Sequence, residues 1–403
     1  IPIVYVFALL LTIPIFPFYF FCLRLLTSKI HWNSLQIAAA IAAWIVLQRC
    51  YGLTPLGTIA SDVPFYGPLP FLQIVSVTNF AVLAGCIIGL NYSIALYLIE
   101  KSKRALIWPL MFMSILAGIY IWGANRSVEK SDRTISMALV QDNLPVNGLW
   151  RIDHPLYIRK KYRDLALQAA KQKPDLIVFP LYSFPEDILR QPQFFLGLAK
   201  ETGSYILVPS QIPRVEGQTV VKSGFMNMAI LYSPEGKIAG EYQAIQEPPF
   251  ASSKQVKEYT SQDYKVMESP LGKLGILLCY EDSVSFVTRE AVKAGAEVLI
   301  ALSNPGFFTT THMPYYHLMQ DQLRAIESGR ELVRVSANGY SAHIDSRGRI
   351  IEKSKLATEQ ILYVKAGKIT GTTCTQKNPH LLFYLAIFSV IGIFIINLCK
   401  KTR

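Results

Sequence analysis

Apolar and polar positions divide the chain into two kinds of segment. Five stretches, over residues 2–26, 32–48, 72–99, 105–123 and 380–398, are apolar almost throughout. Each is close to the ~20 residues that a helix needs to cross a bilayer. The second is the shortest, and the third is long enough to tilt or to include an interfacial part. Pro14, Pro17 and Pro109 in these stretches read as kinks. Between the fourth and fifth stretches the pattern changes. Over residues 134–368, short apolar runs bounded by breakers alternate with amphipathic ones. TISMALVQ, PDLIVFP, SYILVPSQ, KLGILLCYED, VLIALSN and ELVRVSA read as strands. Residues 153–172, 194–203 and 315–328, together with VTREAVKAGAE, read as helices. FMNMAILYSPEGKIAGEY reads as a hairpin turning at Pro234-Glu235-Gly236, and YSAHIDSRGRIIEK as another turning at 346–348. Strands alternating with helices, plus hairpins, predict an α/β sandwich-like layered domain. The expected organisation is transmembrane helices over 1–125, the α/β domain over 134–368 and a last transmembrane helix over 380–398. No internal sequence repeat is visible.

Composition strengthens the membrane reading. Of the 403 residues 51% are hydrophobic, and the mean hydropathy is +0.29. The net charge of +12 acts here first as a topology signal, because Lys and Arg gather on the cytoplasmic side of membrane spans. Arg24 and Lys29 lie at the end of the first stretch, Lys101, Lys103 and Arg104 after the third, and Lys400, Lys401 and Arg403 after the fifth. The loop over 51–71 has no Lys or Arg. The alternation places the amino terminus and the α/β domain outside and the carboxyl terminus inside. No basic stretch is interleaved with aromatics, so a nucleic-acid partner is not expected. The spans carry almost no internal charge, which argues against an ion or proton pathway.

The six cysteines form no CxxC and no metal-ligand set, so neither a zinc site nor a disulfide framework is expected. Cys22, Cys50, Cys86 and Cys399 lie in or beside apolar stretches. A single bridge between Cys279 and Cys374 is the pairing the spacing leaves open. His312 and His317 do not align on a helix face, and Pro314 intervenes, so they do not read as a metal pair. Cys279 carries the most chemistry. It ends the apolar run of LGILLCYED, where a sheet holds a nucleophile at its carboxyl edge. It also fits a small buried hydrophobe. Glu281 lies two residues on, on the same side of a continuing strand.

Taken together, PDLIVFP, the hairpin ending at Tyr242, GKLGILLCYED and the run from LSN through HLMQDQLRAIESGRELVRVSANGYSAHID resemble the carbon–nitrogen hydrolase (nitrilase) superfamily in order and content. The membrane frame narrows the resemblance to apolipoprotein N-acyltransferases. It implies an α-β-β-α sandwich attached to a transmembrane helix bundle in the bacterial inner membrane, with the soluble domain on the periplasmic side. The chain begins at Ile1 without a cleavable leader, and five spans are what the family's eight would leave after loss of three. The implied reaction moves an acyl chain from a phospholipid, through a Cys thioester, to the terminal amine of a diacylglyceryl lipoprotein, without a cofactor.

Such chemistry needs a base for the thiol and a fixed positive donor for the oxyanion. The resemblance assigns the nucleophile to Cys279, followed by Tyr280 and Glu281. It puts the base at the residue after Pro180, which is Leu181, and the oxyanion Lys two residues after Tyr242, which is Ala244. Where the family continues toward a Phe-Gly-Glu lid, this chain has Phe250-Ala251-Ser252. Two of the three catalytic positions are therefore apolar. Glu186, Glu247 and Glu281 are the carboxylates near the vacated slots, and Glu281 reads either as a support of the site or as a structural partner. Asn304 and Tyr280 are the expected pocket residues, with Asn304 alternatively capping a turn. Arg324, Glu327 and Arg330 read as a charged helix face or buried scaffold pairs. The polar segment 246–264, with Lys254 and Lys257, reads as a solvated lid or as a contact for lipid headgroups. Two readings follow: an acyltransferase with substituted helpers, or a relative that binds lipid or lipoprotein without turnover. A membrane-tethered amidase would need the same missing residues.

Overall fold

The computed structural model describes residues 15–27, 30, 32–52, 68–128, 131–144, 154–181, 184, 192–216, 219–246, 264–304 and 312–399. The chain separates into two units, one of residues 1–126 with 374–403 and one of residues 127–373.

The first unit is helical. It contains α1 (Ile15–Thr27), α2 (Asn33–Gly52), α3 (Ala81–Glu100), α4 (Lys103–Ala124) and a carboxyl-terminal helix, Leu381–Cys399. Tyr19 and Leu23 of α1, Ala39 and Ala40 of α2 and Ile393 of the last helix pack together, and Tyr19 Oη donates to the Ala40 carbonyl at 3.1 Å. Among the described residues α3 and α4 are long and apolar enough, by length and composition, to cross a membrane. On α4, Ile107, Leu110 and Ile121 face outward, 61%, 50% and 62% exposed. The third apolar stretch is not one helix. A short helix, Leu69–Leu72, runs into a 3-10 turn, Gln73–Ser76, and α3 begins only at Ala81. Polar side chains make the break: Ser76 Oγ donates back to the Gln73 carbonyl at 2.8 Å, and Asn79 Oδ1 accepts the Ala81 N–H at 3.0 Å.

The second unit holds two six-stranded sheets face to face. Its elements run β1 (Thr134–Gln141), α5 (Pro155–Ala170), β2 (Leu176–Val178), α6 (Gln193–Thr202), β3 (Tyr205–Glu216), β4 (Thr219–Tyr232), β5 (Ile238–Gln243), β6 (Met267–Ser269) and β7 (Gly272–Leu278). They continue with α7 (Ser285–Lys293), β8 (Val298–Ser303), α8 (Met313–Ser328), β9 (Leu332–Ser336), β10 (Ala342–Ile344), β11 (Ile350–Lys353) and β12 (Gln360–Gly367). One sheet has the order β12-β1-β2-β3-β4-β5, the other β11-β10-β9-β8-β7-β6. In each, three parallel strands joined by helices are followed by an antiparallel meander. The two halves thus repeat one topology without a visible sequence repeat.

Apolar side chains from both sheets make the inner layer, among them Leu139, Val178, Leu231, Leu278, Leu302 and Val335. The outward residues of β1–β4 meet α5 and α6 through Tyr162, Phe179, Phe195 and Tyr232. Helices α7 and α8 pack on the other sheet. The result is the expected α-β-β-α sandwich. Strand β12, which pairs antiparallel with β1 along its whole length from Thr134↔Gly367 to Gln141↔Gln360, was not foreseen. The hairpin turn lies where expected. Ser233 N–H donates to the Lys237 carbonyl at 2.8 Å, and Gly236 takes a φ of +75° that a side chain would strain.

Candidate functional site

The site forms at the carboxyl edge of β7. Its strand residues Leu274 to Leu278 are buried, because β7 pairs with β6 on one side and β8 on the other. The strand stops at Leu278, and Cys279–Ser283 forms a 3-10 turn. Cys279 itself has a φ of +56°, a left-handed conformation that costs roughly 1–2 kcal/mol for a residue with a Cβ. Such strain, where it persists, concentrates at functional positions. The expectation that Glu281 follows Cys279 on a continuing strand is therefore corrected: the turn rotates Glu281 back toward the sheet.

Glu281 is fully buried and joins two strand ends. One carboxylate oxygen accepts the N–H groups of Ile245 at 2.7 Å and Gln246 at 3.1 Å. The other accepts the Leu278 N–H at 2.8 Å. Tyr242 Oη donates to both, at 3.0 Å each. Burial lifts this carboxyl to about 7, while the N–H donors of Leu278, Ile245 and Gln246 pull it back toward the charged form. Its bonding capacity is committed to holding the end of β5 against the Cys279 turn.

The two positions assigned by resemblance to a base and a lysine sit in the apolar layer. Leu181 is wholly buried and Ala244 is 5% exposed, and half-buried Cys279 packs against the same cluster. Ala244 is held by its N–H donating to the Asn227 carbonyl at 2.9 Å. Asn304, at the end of β8, donates from Nδ2 to the Leu181 carbonyl at 3.1 Å. That bond joins it to the backbone of the slot. Tyr280 is buried beside Cys279 in the turn. The packing around the thiol removes hydration from a thiolate and pushes the Cys279 pKa up to about 12, with Asp282 and then Glu281 adding to the rise and Arg334 opposing it. A thiol in that state is protonated at neutral pH and a poor nucleophile.

Behind the turn lies a buried charged group that the sequence reading did not assemble. Arg334 Nη1 donates to Asp282 at 2.9 Å and Asp321 at 2.6 Å, and its Nη2 to Ser303 Oγ at 2.6 Å. His317 Nδ1 lies 3.1 Å from Asp282, and Ser283 Oγ donates to Asp282 at 2.9 Å. Burial opposes the charge on Asp282, but His317 and Arg334 outweigh it and hold the carboxyl down at about 2. Burial dominates at Asp321 and raises it to about 7 against the pull of Arg334. The one sequence signal for this group was a lone Arg within the apolar strand LVRVS.

Arg324 and Glu327 pair at 3.2 Å, both buried, and Arg330 donates to the carbonyls of Ala296 and Gly371, each at 2.6 Å. These three are scaffold. Cys279 and Cys374 are both free thiols. Glu186, Glu247, Phe250, Ala251, Ser252, Lys254, Lys257 and nearly all of the expected lid lie outside the described residues.

A two-sheet sandwich with a cysteine at the turn after a central parallel strand agrees with the family model that matches residues 150–367, described as carbon–nitrogen hydrolase. The chain belongs to the carbon–nitrogen hydrolase family. This carbon–nitrogen hydrolase chain is 25% identical over 353 residues to an apolipoprotein N-acyltransferase of Geobacter metallireducens, covering 79% of this chain and 66% of that protein. It is 27% identical over 375 residues to apolipoprotein N-acyltransferase 2 of Treponema denticola, covering 80% and 70%. The chain therefore spans about two thirds of the length of these relatives. Among solved structures it is similar to Saccharomyces cerevisiae Nit3 of the nitrilase superfamily, with 20% identity, a TM-score of 0.47 and coverage of 60% of this chain and 93% of that one. General resemblance to the membrane-bound acyltransferase branch accompanies the family assignment.

Proposed function

We propose that this chain is a membrane-tethered relative of apolipoprotein N-acyltransferases that binds acylated ligands without turning them over. The ligands of this reading are a phospholipid and a diacylglyceryl lipoprotein. The chain would sit in the bacterial inner membrane as a multi-pass protein, its α/β domain on the periplasmic side, where both ligands are available. The domain boundaries carried into this reading are 1–125, 134–368 and 380–398.

One observation carries the proposal: Leu181 and Ala244, at the slots for base and oxyanion lysine, are both buried in the apolar layer on which Cys279 packs. Loss of a general base costs about 10²–10⁴ in rate, and loss of one oxyanion donor about 10²–10³. The two act as a unit, so the losses do not simply multiply. Either alone would remove most of an ordinary acyltransferase's rate. Glu281, with four donors on its carboxylate, supports the positions of the two strand ends rather than serving as a replacement base.

A second reading has one observation in its favour. Cys279 keeps a left-handed backbone, a strain that a position without any task would shed by becoming glycine. On this reading Cys279 forms a thioester slowly, with Glu281, Tyr280 and Asn304 supporting the site.

Binding of a diacylated lipopeptide to the full-length protein in micelles, compared with the same peptide lacking acyl chains, tests the first reading. It predicts saturable retention of the acylated peptide alone and no triacylated product. Equal retention of both peptides contradicts it.

A further inference from the structure

The charged group behind the Cys279 turn holds two carboxylates, one guanidinium and one imidazole. Arg334 is fully buried, as is Asp321, and Asp282 is 1% exposed. Two carboxylates therefore share one guanidinium in a region shielded from water. Isolated buried charge is costly, so such groups are neutralised by a partner or by a proton. His317 is the one member that reaches the surface, with 16% of its side chain exposed.

The bonding distinguishes the two carboxylates. Asp282 receives Arg334, His317 and Ser283. Asp321 receives Arg334 on Oδ2 only, and among the described residues nothing bonds its Oδ1. Arg334 Nε and the neighbouring Gln320 Oε1 are likewise without a described partner. We infer that this quartet holds one exchangeable proton, seated on Asp321, and that its loss loosens the turn carrying Cys279 from helix α8.

The coupling is geometric. Asp282 lies three residues after Cys279 in a 3-10 turn, where side chains at i and i+3 fall on the same face. Asp321 and His317 belong to α8, one turn apart, and Arg334 belongs to β9 and bonds both Asp321 and Asp282. When Asp321 is neutral, Arg334 and Asp282 cancel and the turn, α8 and β9 are bound together. When Asp321 ionises with His317 neutral, one negative charge is left over and repels Asp282. The other ionisable groups facing this region are Cys279 and Glu281 in the turn, and Arg324 and Glu327 of α8, which pair with each other. Glu327 also accepts from Ser285 of α7 at 3.0 Å. Glu281 is bonded toward β5 and Leu278, away from the quartet.

Hydrogen-exchange mass spectrometry on the full-length protein in micelles tests the inference, read on peptides covering 279–283 and 313–328 from about pH 5 to about pH 8.5 and corrected for intrinsic exchange. Opening of the wild type should rise with pH by up to about tenfold per pH unit below about 7 and level off above it, as release of one proton on opening requires. The comparison is made in a Glu281→Gln background, which removes the turn's other carboxyl raised to about 7; there Asp321→Asn, a neutral isostere, should be flat, whereas His317→Gln should keep the slope of Glu281→Gln alone. The inference is overturned if Asp321→Asn keeps that slope, or if Glu281→Gln alone or His317→Gln in that background is flat. Should Asp321→Asn fail to fold, infrared spectroscopy of the Glu281→Gln protein gives a second test. A protonated-carboxyl band lost across the same range supports the inference, and no such band at about pH 6 overturns it.

Discussion

Glu281 accepts the N–H of Ile245 at 2.7 Å. Ile245 directly follows the lysine slot, and Glu281 follows the cysteine by two residues. The bond that registers one half of the expected catalytic apparatus against the other is thus intact, although Ala244 and Leu181 supply no chemistry. A scaffold kept while its reactive groups are apolar is what a binding protein built on an enzyme fold requires.

Removing that bond should destabilise the domain. Glu281→Ala leaves the N–H groups of Ile245, Gln246 and Leu278 and the Tyr242 hydroxyl without their acceptor in a buried site. Each unsatisfied buried donor costs roughly 1–3 kcal/mol, so a loss of about 3 kcal/mol or more is expected by chemical denaturation. A change below about 1 kcal/mol would mean that the strand ends do not depend on this carboxylate.

The backbone of Cys279 gives a second test. Because its φ is +56°, Cys279→Gly should be more stable than Cys279→Ala by about 1 kcal/mol, the cost of a Cβ in the left-handed region. Equal midpoints for the two variants would show that the strain is not stored there.

Asp282 sets the acid limit of the domain. Its folded carboxyl is held at about 2, below the ordinary aspartate value. Its stabilisation is therefore fully present above the unfolded value and is lost as pH falls toward about 2. Asp321 and Glu281, both raised to about 7, act in the opposite sense. Their protonated forms favour the folded state, and that advantage is lost as pH rises through about 7. Thermal midpoints against pH should fall on both sides of a mildly acidic maximum. Asp282→Ala, which leaves Arg334 with one carboxylate fewer, should cost about 3–5 kcal/mol at that maximum.

The strands were legible because breakers bracket short apolar runs. PDLIVFP and LGILLCYED are both bounded by Pro, Gly or acidic residues, and they became β2 and β7. Strand β12 was not, since its polar and apolar residues do not alternate cleanly and its place depends on pairing with β1, more than 200 residues earlier. The turn at Cys279 was misread as strand because nothing local marks a left-handed cysteine. The site's chemistry was legible in part. Cys279 and the apolar slots stood out by position, whereas the Asp282–Arg334–Asp321–His317 group joins residues up to 52 positions apart and exists only through tertiary packing.

Restoring the missing groups should restore chemistry. Leu181→Glu with Ala244→Lys places a base and a cation at the two slots, and the thiol pKa should fall from about 12 toward the physiological range. The expected readout is iodoacetamide labelling of Cys279 at neutral pH, faster in the double variant than in the wild type by at least about tenfold. Leu181→Glu alone should be less stable than the pair, because it buries an unpaired charge. Labelling at the wild-type rate in a folded double variant would show that these are not the slots.

Mass spectrometry of the purified full-length protein in phospholipid micelles, before and after hydroxylamine, tests the central claim most directly. A half-buried thiol raised to about 12, packed on the apolar cluster that holds both helper positions, predicts no acyl adduct on Cys279 while a diacylated lipopeptide still binds. A hydroxylamine-sensitive acyl adduct on Cys279 that passes to the lipopeptide would contradict it and establish a working acyltransferase.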